Sequence, residues 1–241
     1  MKLTDKTKQI LLLIVLFIIA VKFWNTMFIY PIKLFVVMLH EMSHGMMALV
    51  LGGRIVEIQI SPNIGGACIY TIPNSKAAQI LVSSAGYIGS MVWGALILVA
   101  SFKIKKNKYI TLMIGFFTLM LSIFVSKTGE IFGIVFCLGF TLFMIFSYKY
   151  LADWFHDYMV KFLGLTSCLY VILDITNDLI LQTGLGSDAD QIGALIGIPP
   201  IIIGLLCIVI STYILFISLK FCFGGKRRGY RHKNKNRQIY S

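Results

Sequence analysis

His40, Glu41 and His44 are the residues of this chain whose types and spacing are best suited to chemistry. Two histidines four positions apart on a helix project from one face, about one turn apart. Both imidazoles can then reach a single Zn²⁺, with the glutamate beside them. A metal held this way lowers the pKa of a bound water towards neutrality and polarises a carbonyl. Glu41 would take the water's proton and deliver it to a leaving amine, so the chemistry in view is hydrolysis. A chance HExxH is expected on the order of once per hundred chains of this length at average composition. Inside an apolar helix it should be rarer, because ionisable residues are costly there and are usually functional. The bland alternative is a polar cluster that glues helices together.

A catalytic zinc site takes three protein ligands and keeps a fourth position for water. The chain offers four histidines and ten acids. His232 lies in a basic tail, and His156 in a polar, aromatic connection. Asp5, Glu57, Glu130, Asp153, Asp157, Asp188 and Asp190 fall in tails, loops or a β-prone stretch. The acids left inside an apolar run are Glu41, Asp174 and Asp178. Asp174 and Asp178 are themselves four apart and can face one neighbour. Either can ligate the metal, bond a backbone donor, or orient a histidine through its second nitrogen.

The elements that must position these residues follow from composition. Of 241 residues 58% are hydrophobic and 13% charged, whereas a soluble domain carries roughly twice that charged fraction. The apolar residues form long runs, each a spanning-helix candidate. The expected fold is an all-α polytopic membrane protein with about six to seven transmembrane helices. Spans are expected over residues 10–30, 34–51, 76–102, 109–126, 131–147, 159–182 and 192–219. Gly52 and Gly53 end the motif helix. Residues 54–60 and 67–72 alternate polar with apolar and are β-branched around a turn at 63–66, which predicts a short β-hairpin. Small residues at 83–86 and 89–90 suit close helix packing. Residues 184–191 read as a polar loop, and Pro199-Pro200 as a kink early in the last span. One domain, residues 1–225, precedes a basic and disordered tail, residues 226–241. The five cysteines show no CxxC spacing and read as small buried hydrophobes.

The residues from Leu39 to Ile60, LHEMSHGMMALVLGGRIVEIQI, resemble the site-two proteases, which are intramembrane zinc metalloproteases. The likeness is to their compact, peptidase-like branch without a large periplasmic domain. There an HExxHG helix is followed by a glycine pair, a β-hairpin and a small-residue segment, here Ala85 to Ser90. The resemblance spans residues 31–95 and, more loosely, 165–205. It implies His40 and His44 as zinc ligands and Glu41 as the catalytic acid and base. It implies Asp174, after Leu173, as the third ligand, with Asp178 in reserve. Tyr87 stands where that family has proline, and Ile175 follows Asp174 where it has glycine. Ser187-Asp188-Ala189 also resembles this branch, with no role attached.

The expected function is a zinc-dependent intramembrane endopeptidase. Its partners would be a membrane protein or peptide substrate and the bilayer itself, in the cell membrane of a bacterium. A catalytically silent zinc-binding scaffold would have no use for Glu41. A transporter would show broken helices in two repeat halves, and no repeat is visible. The net charge of +12 collects in residues 2–8, 103–108 and 226–237, between or beyond apolar runs. That pattern fits topology signals and lipid head groups, and no nucleic-acid partner is expected. The last two clusters are separated by four spans and so share one side, the cytoplasm.

Overall fold

The computed structural model describes residues 4–180 and 186–224. Its elements are α1 (Asp5–Lys22), α2 (Tyr30–Val50), β1 (Arg54–Ile60), β2 (Gly66–Thr71), α3 (Lys76–Lys103), α4 (Lys108–Val125), α5 (Ile131–Tyr150), α6 (Asp153–Ile180), α7 (Asp188–Ile196) and α8 (Pro200–Phe223). The basic tail from residue 226 lies outside the described residues. Among the described residues five helices are long and apolar enough to cross a membrane: α3, α4, α5, α6 and α8. The first two expected spans are also helices, of 18 and 21 residues. Their polar content keeps them out of that group: Asp5, Lys6, Lys8 and Lys22 in α1, and Lys33, His40, Glu41 and His44 in α2.

Apolar side chains point outward as well as inward. Phe116, Val135, Leu142, Val209 and Phe216 are all more than 60% exposed. In a soluble fold such a surface would aggregate; against lipid chains it is matched. The interior is built on α3, which touches α2, α6, α7 and α8, while α4 and α5 pair beside it. Thr118 and Thr141 share a buried hydroxyl hydrogen bond of 2.8 Å across the α4–α5 contact, the polar glue that lipid-embedded helices use.

The hairpin forms as its alternation predicts, with one irregularity that matters. Ile55 pairs with Tyr70 and Ile58 with Cys68, and the register shifts between Ile55 and Glu57. Ile55, Ile58 and Ile60 are all buried. A regular strand would send Ile55 and Ile58 to opposite faces, since they are an odd number of residues apart. The bulge at Val56 returns both to the protein side.

Two expectations change near the C-terminal end. The stretch 153–157, read as a wet connection, is the first turn of α6, with Asp153 placed favourably at a helix N-terminus. His156 is fully buried there, its Nδ1 2.9 Å from Thr111 Oγ1, on the α4 face of α6. The expected seventh span is two helices, α7 and α8, separated at Gly197 to Pro199. Gly197 has φ +74°, and a proline cannot continue a helix through its missing N–H. The expected loop at 184–191 is likewise shorter, because α7 begins at Asp188.

Candidate metal centre

Helix α2 carries the motif, and two elements close over it. From one side α3 comes very near. A Cβ on Gly86 would stand 2.5 Å from Nε2 of His40 and from Nε2 and Cε1 of His44. Only a residue without a side chain lets the α3 backbone lie against both rings. Gly89 does the same over Ser43. The small-residue cluster read in the sequence thus serves α2–α3 contact at the motif itself. Helix α3 also orients one ligand: Nδ1 of His44 lies 2.7 Å from the carbonyl oxygen of Val82. A carbonyl can only accept, so Nδ1 carries the proton and Nε2 keeps its lone pair for a metal. The Tyr87 ring packs edge-on against His40, centroids 5.4 Å apart.

From the other side comes β2. The backbone N–H of Cys68, at the edge of β2, faces the Glu41 carboxylate. A Cβ on Gly66 would stand 2.7 Å from Glu41 Oε1, so the strand backbone lies directly on the acid. Burial, and then the charge of Glu41, push the Cys68 thiol up to about 12. It stays protonated at neutral pH.

The third side chain is Asp188. It is buried in the first turn of α7, with Oδ2 3.1 Å from Nε2 of His40 and 3.3 Å from Nε2 of His44. Neither approach has hydrogen-bond alignment, and Asp188 Oδ2 has no hydrogen-bond partner among the described residues. Burial would raise the Asp188 carboxyl, but His44 and His40 outweigh it and hold it at about 2. It is therefore an anion at neutral pH. His40, His44 and Asp188 bring one ligand atom each within 4.8 Å of one another.

Asp174, which the resemblance pointed to, stands on the wall of the same cavity, near enough for its charge to reach His40. It is not in the converging group. The side chain of Asp178 lies outside the described residues. In sequence, residues 184–191 read as a polar loop, which hides Asp188 among solvated acids. One local signal runs against that reading: Ser187 and Asp190 form a capping box, each side chain bonding the other's backbone N–H. Ser-x-x-Asp ahead of the apolar Ile192, Ala194 and Leu195 is a helix-start signature, and it places Asp188 at the first helical position.

A cavity of about 640 Å³ opens over these residues. Consecutive residues 66–70 of β2 line it together with Glu41, Tyr87, Tyr170 and Asp188. Side chains on a strand alternate between faces, so an unbroken run of lining residues means that the strand presents its edge. Among the described residues the sheet has two strands, and β1 occupies the other edge of β2. A protein-family profile described as Peptidase M50B-like matches residues 13–218. No curated protein and no solved structure matches the chain.

Proposed function

The chain belongs to the Peptidase M50B-like family, a site-2 protease family, and on that premise we propose that it is a zinc-dependent endopeptidase acting on peptide bonds of membrane-associated substrates. The observation that carries the metal reading is the pair of separations at Asp188 Oδ2, 3.1 and 3.3 Å. Two donors each about 2.0–2.1 Å from a tetrahedral zinc stand about 3.3 Å apart. A carboxylate oxygen this close to two imidazole nitrogens without hydrogen-bond alignment, all three atoms within 4.8 Å of one another, suits a shared cation. Two neutral imidazoles and one carboxylate also make a usual catalytic zinc set, and leave a position for water. His40, His44 and Asp188 would hold the ion.

Bound there, zinc supplies a Lewis acid that polarises a carbonyl and brings the pKa of water down towards neutrality. The remaining steps fall to the chain. Glu41, facing the Cys68 N–H, takes one proton from the attacking water. The water oxygen bonds to the carbonyl carbon, and the carbonyl π pair moves onto its oxygen. That pair then returns, the C–N bond breaks, and the nitrogen leaves with the proton held by Glu41. An acid and an amine result, and Glu41 is again a carboxylate. The free edge of β2 supports a way to hold the substrate. A helix must unwind before its carbonyl can be attacked, and the unwound segment can pair with an open strand edge. The five apolar spans support delivery of that substrate from the bilayer.

The test is Glu41→Gln in detergent-purified protein. Glutamine keeps the shape and loses the base, so cleavage of a co-expressed single-span substrate should stop while zinc stays at one per chain. Cleavage that persists removes the enzyme assignment. Zinc that persists in a His40→Ala, His44→Ala double variant removes the metal assignment.

A further inference from the structure

Resting on the proteolytic reading above, we propose that Tyr70 is a further catalytic residue, whose hydroxyl donates a hydrogen bond to the oxyanion formed when water adds to the scissile carbonyl. A fixed donor aimed at an oxyanion in a poorly hydrated site adds to what a cation supplies there, and one such donor is commonly worth a factor of about 10²–10³ in kcat. The cavity wall limits the choice. Ser187 and Gln191 are committed: Ser187 caps α7, and Gln191 bonds Ser83 and the Gly186 carbonyl. Tyr87 is fully buried as a wedge against His40. Tyr170 packs on Trp24, centroids 6.0 Å apart. Asn63 sits in the hairpin turn and is exposed. Asp174 has the wrong charge. Tyr70 is left. It is half-buried on the cavity wall, and its hydroxyl makes no hydrogen bond among the described residues.

Strand spacing places it. Tyr70 lies two residues beyond Cys68, and both line the cavity. Cys68 turns its N–H, at the strand edge, towards Glu41. Its Cα and that of Tyr70 are about 7 Å apart along a strand, a span the phenol side chain can cover. Tyr70 pairs with Ile55, next to the register shift in β1. The hydroxyl lies close enough to feel the charges of Asp188 and Glu41. A phenol keeps its proton at neutral pH, and towards an anion it can only donate.

Tyr70→Phe removes one O–H and keeps the ring, so folding should be spared. In zinc-loaded full-length protein, kcat on a model single-span substrate should fall about 10²–10³-fold, with KM within about threefold and zinc content unchanged. A phosphinic peptide, which mimics the tetrahedral oxyanion, should lose affinity in proportion to kcat/KM. Uncleaved substrate should bind equally to Glu41→Gln and to Glu41→Gln, Tyr70→Phe. Asn63→Ala and Tyr170→Phe should each cost less than tenfold. Wild-type cleavage matched by Tyr70→Phe, or a loss confined to KM, overturns the role of Tyr70 alone. Zinc-loaded wild type that cleaves nothing overturns the proteolytic reading, and this role with it.

Discussion

Asp188 and Asp174 face one cavity from two different helices, and their variants separate a ligand from a neighbour. Asp188→Asn should lower zinc affinity by far more than 100-fold, because it removes the anion that two imidazoles share. Asp174→Asn should lose at most about 10–100-fold, the range for a residue acting through a ligand. Zinc titrations of the two variants decide between them; a larger loss in Asp174→Asn would return the third ligand to α6. Gly86 makes a second case at this scale. An alanine there would put a methyl 2.5 Å from both ligand nitrogens. The rings must tilt or α3 must withdraw, and overpacking of this kind costs about 1–3 kcal/mol. Gly86→Ala should therefore weaken zinc binding by about 10–100-fold and reduce cleavage with it. Wild-type zinc affinity in that variant would mean that α3 does not press on the rings.

Elements differ in how openly their residues announce them. Helix α2 and the hairpin are legible because period and punctuation agree: an apolar run with two histidines on one face, then Gly52 at φ +80° ending the helix, then β-branched alternation. His40, Glu41 and His44 could be read from spacing alone. Asp188 could not, because composition made residues 184–191 look solvated, and the nine-residue α7 is too short for apolar periodicity to stand out. Its burial comes from packing against α3 and α8, a tertiary fact. The bulge at Val56 is hidden for a similar reason: it is fixed by which isoleucines must be buried together. The capping box is the local feature that holds Asp188 in place, and it can be tested. Ser187→Ala should cost about 1 kcal/mol of helix start, and zinc affinity should fall about fivefold. Ser187→Thr should restore it. Equal loss in both variants would show that the hydroxyl acts otherwise than as a cap.

At the scale of the whole molecule, contacts between helix ends constrain how the chain threads a bilayer. Helices α4, α5, α6 and α8 are the helices after Lys103 that are long and apolar enough to span. Helix α7, with nine residues, is about 14 Å long and cannot cross a hydrocarbon core of about 30 Å. Four crossings bring the chain back to its starting side. Side chains agree with that parity. Phe102 at the end of α3 touches Phe223 at the end of α8, centroids 5.4 Å apart. Asn107 donates to Asp157, joining the start of α4 to the start of α6, two crossings away. Lys103, Lys105, Lys106 and Lys108 cluster at this end, which the positive-inside rule assigns to the cytoplasm. Lys161, also at this end, is buried, pairing with Asp157 at 2.7 Å and covering the Phe102 ring at 5.2 Å. Reporter fusions in a bacterial cell should therefore give a cytoplasmic signal after Lys106 and after Gly224, and the opposite signal after Gly129. Reporters on opposite sides at Lys106 and Gly224 would break the four-crossing count and require α7 and α8, or another pair of helices, to share one traverse. Reporters on the same side but outside would keep the fold and reverse its insertion, leaving the lysine cluster to bind anionic head groups from the outer face.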